Sequence, residues 1–190
     1  MRPTNRKFLI LAASFFLISS KGICEEPRDI VFSLGLSSGV YQLDYTHVSA
    51  SDTVSGRTIA SEATIGAIFS ATANVPVLPK HIPFELAAQA GYNYNLPANN
   101  IAVSYSFANV LLKNEMSTDI SGYVGAGILY SSWNQEISGG LGWQGLAGVR
   151  NDSGLYMGFR YLSVPGSRLT GGYQSSFLLT QLVFDLQYSF

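Results

Sequence analysis

Charge is what this chain has least of. Only 12% of its 190 residues are Asp, Glu, Lys or Arg, about half the share of an ordinary soluble domain. A surface wetted on every side needs more. Basic residues are not in excess, with 11 against 12 acidic ones, which excludes a strongly basic nucleic-acid binder, and no nucleic acid is expected. Cysteine is nearly missing: Cys24 is the single one, so a disulfide framework is excluded. His47 and His81 stand far apart, without the close ligand spacing of a metal site, so neither metal nor cofactor is expected. Past residue 20 no apolar run approaches the length of a membrane helix. What is abundant is apolar and aromatic surface, 47% hydrophobic and 13% aromatic, with 11 Tyr, 11 Phe and 19 Gly.

The first residues read as an export signal. Arg2, Arg6 and Lys7 precede the apolar run Phe8 to Ile18, which is too short to span a bilayer and is expected to be removed as a signal peptide comprising residues 1–24. Gly22 and Cys24 are the small residues at the expected cut. A retained anchor helix and lipid modification of Cys24 are the alternatives; Lys21 speaks against the first and Ile23 against the second. Removal of Arg2, Arg6, Lys7 and Lys21 leaves seven basic against twelve acidic residues, so the mature domain, residues 25–190, carries a formal charge of −5.

Beyond residue 29 the dominant period is two. Leu178, Leu182, Phe184, Leu186, Tyr188 and Phe190 share one face of the last segment, while Gln181, Asp185, Gln187 and Ser189 share the other. The same template predicts eight strands, at roughly 29–43, 60–74, 83–95, 101–112, 120–132, 139–150, 154–164 and 176–190. Each reaches the roughly 9–11 residues that a tilted membrane strand needs. Asp44–Ile59, Trp133–Ser138 and Pro165–Ser175 are expected as polar loops at one end, with short turns and both termini at the other. After Val40 the apolar positions become Tyr41, Leu43 and Tyr45, which predicts a bulge or departure from the membrane.

A soluble calyx also has eight strands, so the placement of charge must decide. Glu62, Glu85, Arg150, Arg160 and Asp185 lie opposite the bulky apolar side chains of their strands. A charge facing lipid at mid-depth costs about 2–4 kcal/mol, whereas a polar lumen accommodates it. The expected architecture is an all-β, eight-stranded, antiparallel up-and-down transmembrane β-barrel. Its lumen is expected to be filled by a polar network of Glu62, Glu85, Gln89, Gln144, Arg150, Arg160, Asp185 and Gln187, with Arg160 and Asp185 near enough to pair. Gly91, Gly127 and Gly148 share that inward face, where they leave room for a large residue from across a narrow barrel. Tyr92, Tyr94, Tyr130, Trp133, Tyr188 and Phe190 are candidates for interfacial girdles.

The segments SGYVGAGILYSSW, LGWQGLAGVRNDSGLYMGFRYLSV and the terminal QLVFDLQYSF resemble the bacterial outer-membrane β-barrel domain family, the small OmpA/OmpX-type and Opacity-like porin-fold proteins. The resemblance implies an exported, non-enzymatic barrel in the outer membrane of a Gram-negative cell, among lipopolysaccharide. It also implies that Leu186, Tyr188 and Phe190 form the signal read by the barrel assembly machinery. A structural or surface-interaction role is the leading expectation, with a host or surface ligand at the outer loops, where Arg168 and Tyr173 lie. A conduit for small apolar solutes, as in OmpW-like relatives, would need an apolar vestibule from Tyr41, Leu43, Tyr45 and Ile59. A lipid A-modifying enzyme would need His47 to activate Ser49 or Ser51. His81 is expected as a solvated imidazole at a periplasmic turn.

Overall fold

The computed structural model describes residues 30–48, 53–79, 82–95, 102–133, 137–170 and 173–190. The expected signal peptide, Ser49, Ser51 and His81 lie outside the described residues. Among those residues no helix is long and apolar enough to cross a membrane, which has no bearing on crossing by strands. The chain forms β1 (Ile30–Val48), β2 (Thr53–Val75), β3 (Glu85–Asn95), β4 (Val103–Ser117), β5 (Ile120–Trp133), β6 (Leu141–Asn151), β7 (Leu155–Thr170) and β8 (Tyr173–Ser189). A two-residue piece, Ser138–Gly139, pairs with Ser167 and Gly166 of β7. Every strand pairs antiparallel with the next, and β1 also pairs with β8 from Ser33↔Ser189 to Val48↔Gln174. The result is a closed eight-stranded antiparallel β-barrel. Closure leaves no sheet edge, so backbone groups find partners around the full circumference.

At the end where β1 begins and β8 finishes, called the end of the termini below, β4–β5 and β6–β7 are joined by tight turns. Between β6 and β7, Gly154 adopts a φ of 92°, a left-handed conformation that a residue with a Cβ enters only at a cost. Asn151 Oδ1 fixes this turn by accepting from Ser153 Oγ at 2.7 Å and from the Leu155 N–H at 2.9 Å. The Phe190 N–H donates to the Phe32 carbonyl at 2.8 Å, tying the final residue to β1.

At the opposite end, called the loop end below, the strands run well past their expected limits. Asp44–Val48 and Thr53–Ile59 extend the β1–β2 ladder, and Pro165–Thr170 pairs with Tyr173–Leu178. Most of the two expected polar loops is therefore strand. Their residues gave no apolar stripe because no apolar solvent faces them, while their backbone hydrogen bonds do not depend on one. Pro165 sits inside β7 at a place prepared for it. Its carbonyl accepts from Ser131 Oγ on the β6 side of the strand. Its missing N–H points the same way, toward Gly140, where the β6–β7 ladder is interrupted between Trp143↔Ser163 and Gly139↔Gly166.

Paired residues share a face, so register carries the inward parity from strand to strand. Ser33 pairs with Ser70, Ser70 with Gly91, Gly91 with Phe107, and Phe107 with Leu129. The irregularity expected after Val40 is present, since Gly39 pairs with Thr64 but Tyr41 with Ala60. The additional residues belong to β2, however. On β1 the parity is unbroken, and Tyr41 and Leu43 remain on the inward face with Ser37 and Gly39. It is the chemistry of the two faces that changes there.

Candidate functional site

The lumen has two storeys. In the storey nearer the termini, apolar residues cover the outside, and the inside combines polar side chains with a small apolar cluster of Ala87, Leu111 and Tyr123. Phe159 is 59% exposed and Arg160 next to it 2%; Phe184 is 39% exposed and Asp185 3%. On β1, Ile30, Phe32, Leu34, Leu36 and Val40 face outward. From Ile30 to Val40 the strand rises about 26 Å along the barrel axis, given about 3.4 Å per residue and a tilt near 40°. That matches the apolar band of about 25 Å that a membrane barrel shows to lipid.

Five side chains from five strands form one directed chain across the inside of this storey. Gln144 Nε2 donates to Asn109 Oδ1 at 2.6 Å, and Asn109 Nδ2 to Gln89 Oε1 at 2.8 Å. Gln89 Nε2 donates to Ser70 Oγ at 3.4 Å, and Ser70 Oγ to Gln187 Oε1 at 3.3 Å. Each middle member both donates and accepts, so successive bonds polarise one another. The space left beneath this belt is about 30 Å³, lined among others by Tyr123, Arg150, Tyr156 and Gln187, the share of liquid volume of a single water.

Of the eight expected lumen residues, Gln89, Gln144 and Gln187 are in the belt. Arg160 Nη2 pairs with Asp185 Oδ1 at 2.6 Å, deep in the barrel. Glu85 and Arg150 share the inward parity but sit at the rim nearest the termini. Glu85 takes the Lys113 ammonium at 3.0 Å, and Arg150 lies 5.3 Å from the Tyr123 ring centroid. The side chain of Glu62 lies outside the described part of β2. Sequence reasoning missed Asn109, which links the two glutamines. Its strand carries Val103, Tyr105 and Phe107 inward, so β4 lacks the alternation that marked the others.

The glycines make room for neighbours rather than for residues across the lumen. A Cβ at Gly91 would meet the Phe107 ring from the adjacent strand, and Cβ atoms at Gly148 and Gly158 would meet Tyr156. Without those glycines the lumen would not hold these rings at native density.

Above Arg160 the inner face becomes largely apolar. Tyr41, Leu43, Val103, Tyr105, Phe107, Leu129, Trp133, Leu162, Val164, Leu179 and Val183 form a buried apolar cluster inside the barrel. The outward residues of the same stretch are mixed: Gln42, Ser106, Ser132 and Ser163 are polar, while Ile128, Tyr161, Leu178 and Leu182 are exposed and apolar. Where the wall leaves lipid, water is outside, and the hydrophobic effect drives apolar side chains inward as in a soluble protein. Tyr41 and Leu43, candidates for an open apolar vestibule, are thus 8% and 7% exposed and part of a filled plug. The side chain of Ile59 lies outside the described part. Trp133, a girdle candidate, is likewise inside, where its Nε1–H donates to Ser131 Oγ at 3.0 Å. Tyr92, Tyr94 and Tyr188 face outward as a girdle requires.

The seam between the storeys is held by Arg160. Its guanidinium lies 5.4 Å from the Tyr105 ring centroid and 5.5 Å from that of Phe107, adding cation–π attraction to the ion pair. Here Arg160 Nε, Tyr105 OH, Asn93 Oδ1 and Gln144 Oε1 are buried without a hydrogen-bond partner.

At the loop end, His47 is on β1 rather than in a loop, and its Nδ1 is 2.8 Å from Ser175 Oγ on β8. The imidazole thus engages Ser175, a serine that sequence proximity to His47 did not suggest. Among the described residues no group of three or more His, Cys, Asp or Glu is placed to hold a metal ion.

No family model and no curated protein matches the chain. Solved structures do. Neisserial surface protein A shares 12% identity at a TM-score of 0.45, covering 87% of this chain and 100% of that one. The outer membrane protein OprG from Pseudomonas aeruginosa shares 10% at 0.47, covering 87% and 97%. The outer membrane enzyme PagL shares 13% at 0.39, covering 75% and 97%. The chain is similar to small bacterial outer-membrane barrels. At these identities the likeness is one of barrel architecture and carries no argument about activity.

Proposed function

We propose that this protein is a non-enzymatic barrel of the bacterial outer membrane whose lumen is sealed and whose work is done at its outer rim, as a structural or surface-interaction protein. One observation carries the reading: the lumen is filled twice over, by a hydrogen-bonded belt and by an apolar plug above it. The loop end then faces the cell exterior, with the extended β1–β2 and β7–β8 hairpins at the lipopolysaccharide surface. The termini face the periplasm. Leu186 and Tyr188 face lipid, and Phe190, 72% exposed, closes the chain; these three serve as the signal for the barrel assembly machinery.

Reconstitution into planar bilayers tests the reading. A sealed lumen gives no stable unitary conductance, and large, steady steps overturn it. Location is checked by a heat-modifiability gel of the membrane fraction, in which a folded barrel migrates differently before and after boiling.

A further inference from the structure

We propose that the outer mouth of the barrel is a binding site for a phosphate oxyanion, built by Arg168, Ser175 and His47 on three successive strands. The inference deepens the surface-interaction reading and rests on it for the direction in which the mouth faces. Register brings the three together: His47 on β1 is opposite Ser175 on β8, and Ser175 is opposite Arg168 on β7. All three have the inward parity, one step above Tyr45, Phe177 and Gly166. Directly opposed residues on one face have their Cβ atoms about 5 Å apart, the spacing of groups that can converge on one small ligand.

The donors are of the right kind. Arg168 supplies a planar guanidinium, the side chain best matched to paired oxygens of phosphate. Its neighbours Ser167 and Leu169 are exposed, while its Nε is buried and has no hydrogen-bond partner. A desolvated N–H on a cation is costly when left unsatisfied, and an incoming oxyanion relieves that cost. The 2.8 Å contact between His47 and Ser175 supplies a second donor: with the proton on Nδ1, His47 donates to Ser175 Oγ and leaves the serine hydroxyl proton free for a ligand. Charge favours an anion as well. The described residues on the inward face above Leu43, namely Tyr45, His47, Val54, Gly56, Gly166, Arg168, Ser175 and Phe177, include no carboxylate. Asp44 has the outward parity of β1, where Gln42 Nε2 donates to its two carboxylate oxygens at 3.1 and 3.3 Å.

A phosphate group reaches this mouth either free or as the headgroup of a phosphorylated glycolipid in the surrounding leaflet. Trp133 reports on both, since its indole packs at Gly166, two residues before Arg168. The experiment uses the full chain with Trp143→Phe, so that Trp133 is the sole indole. It is titrated with inorganic phosphate in detergent micelles, and separately in vesicles containing a diphosphorylated glycolipid or the same glycolipid stripped of phosphate.

A saturable fluorescence change with inorganic phosphate supports a free-anion site. A change only with the phosphorylated vesicles supports a headgroup site. Arg168→Gln weakens either response about tenfold or more, the scale of one charge-assisted hydrogen bond, and Ser175→Ala weakens it severalfold. Lys113→Gln, at the opposite rim, leaves it unchanged. The proposal is overturned if a heat-modifiable, folded barrel responds to neither probe, or if Arg168→Gln binds as tightly as its parent. It is also overturned as a binding site if the glycolipid loses an acyl chain in a manner abolished by Ser175→Ala. A conducting lumen, by contrast, sinks the sealed-barrel reading and leaves the mouth to be judged on these titrations.

Discussion

The two storeys of this barrel keep the same strands and the same inward parity, yet they are solved by opposite chemistry. Below Arg160 the wall is apolar outside and mostly hydrogen-bonded within; above it the inside is mainly apolar and the outside mixes polar residues with Tyr161, Leu178 and Leu182. The difference teaches that a barrel wall has no intrinsic inside. The same inward parity carries a polar belt at one level and an apolar plug at the next. The lower storey is stabilised largely by its hydrogen-bonded belt and the upper one by buried area, and mutations distinguish the two.

The largest effect is expected at the seam. Asp185→Ala strands the Arg160 guanidinium among Tyr105 and Phe107 and costs about 3–5 kcal/mol, read as a lower urea midpoint for barrel unfolding. The double variant Arg160→Met/Asp185→Leu recovers most of that loss, since an apolar pair of similar volume extends the plug downward; failure to recover would show that the seam belongs to the polar storey. Next comes the plug itself. Leu129 is fully buried, and Leu129→Ala costs about 3 kcal/mol through lost burial and the cavity left behind. Planar-bilayer recordings should remain silent in this variant, because the belt still closes the lumen below.

In the belt, Asn109→Ala leaves Gln89 Oε1 and Gln144 Nε2 without the partners they have now and costs about 2 kcal/mol by the same unfolding measurement. If it cost nothing, the lower storey would owe its stability to packing and the contrast would fail. The smallest effect is expected at the rim nearest the termini. Glu85→Gln removes a pair whose carboxylate is half exposed, so the change stays below about 1 kcal/mol and shrinks further in high salt.

Most of the lower storey was readable from the chain. Phe159 and Arg160, or Phe184 and Asp185, differ so sharply in polarity that period two alone assigns their faces. Around the upper storey the same reasoning lost its grip. At Tyr41 and Leu43, where apolar residues move to the polar parity, the sequence left a bulge and departure from the membrane both open; β1 keeps its parity there and the irregularity lies on β2. Thr53 to Ile59, Arg168 to Thr170 and Tyr173 to Ser175 looked like loops because pairing alone, with no apolar stripe, keeps them in strands. Asn109 was hidden among the inward aromatics of β4, and Ser175 was overlooked as a partner for His47 because chain proximity pointed to Ser49 and Ser51.

The sequence by itself determined the eight-stranded barrel and the side of the wall on which each charge of the membrane storey sits. Those properties follow from single residues meeting lipid or lumen at a period of two. The tertiary structure alone decided the direction of the five-residue hydrogen-bond chain, the apolar filling of the lumen above Arg160, and the meeting of His47, Ser175 and Arg168. These depend on inter-strand register, which aligns residues far apart in the chain and which no local pattern encodes.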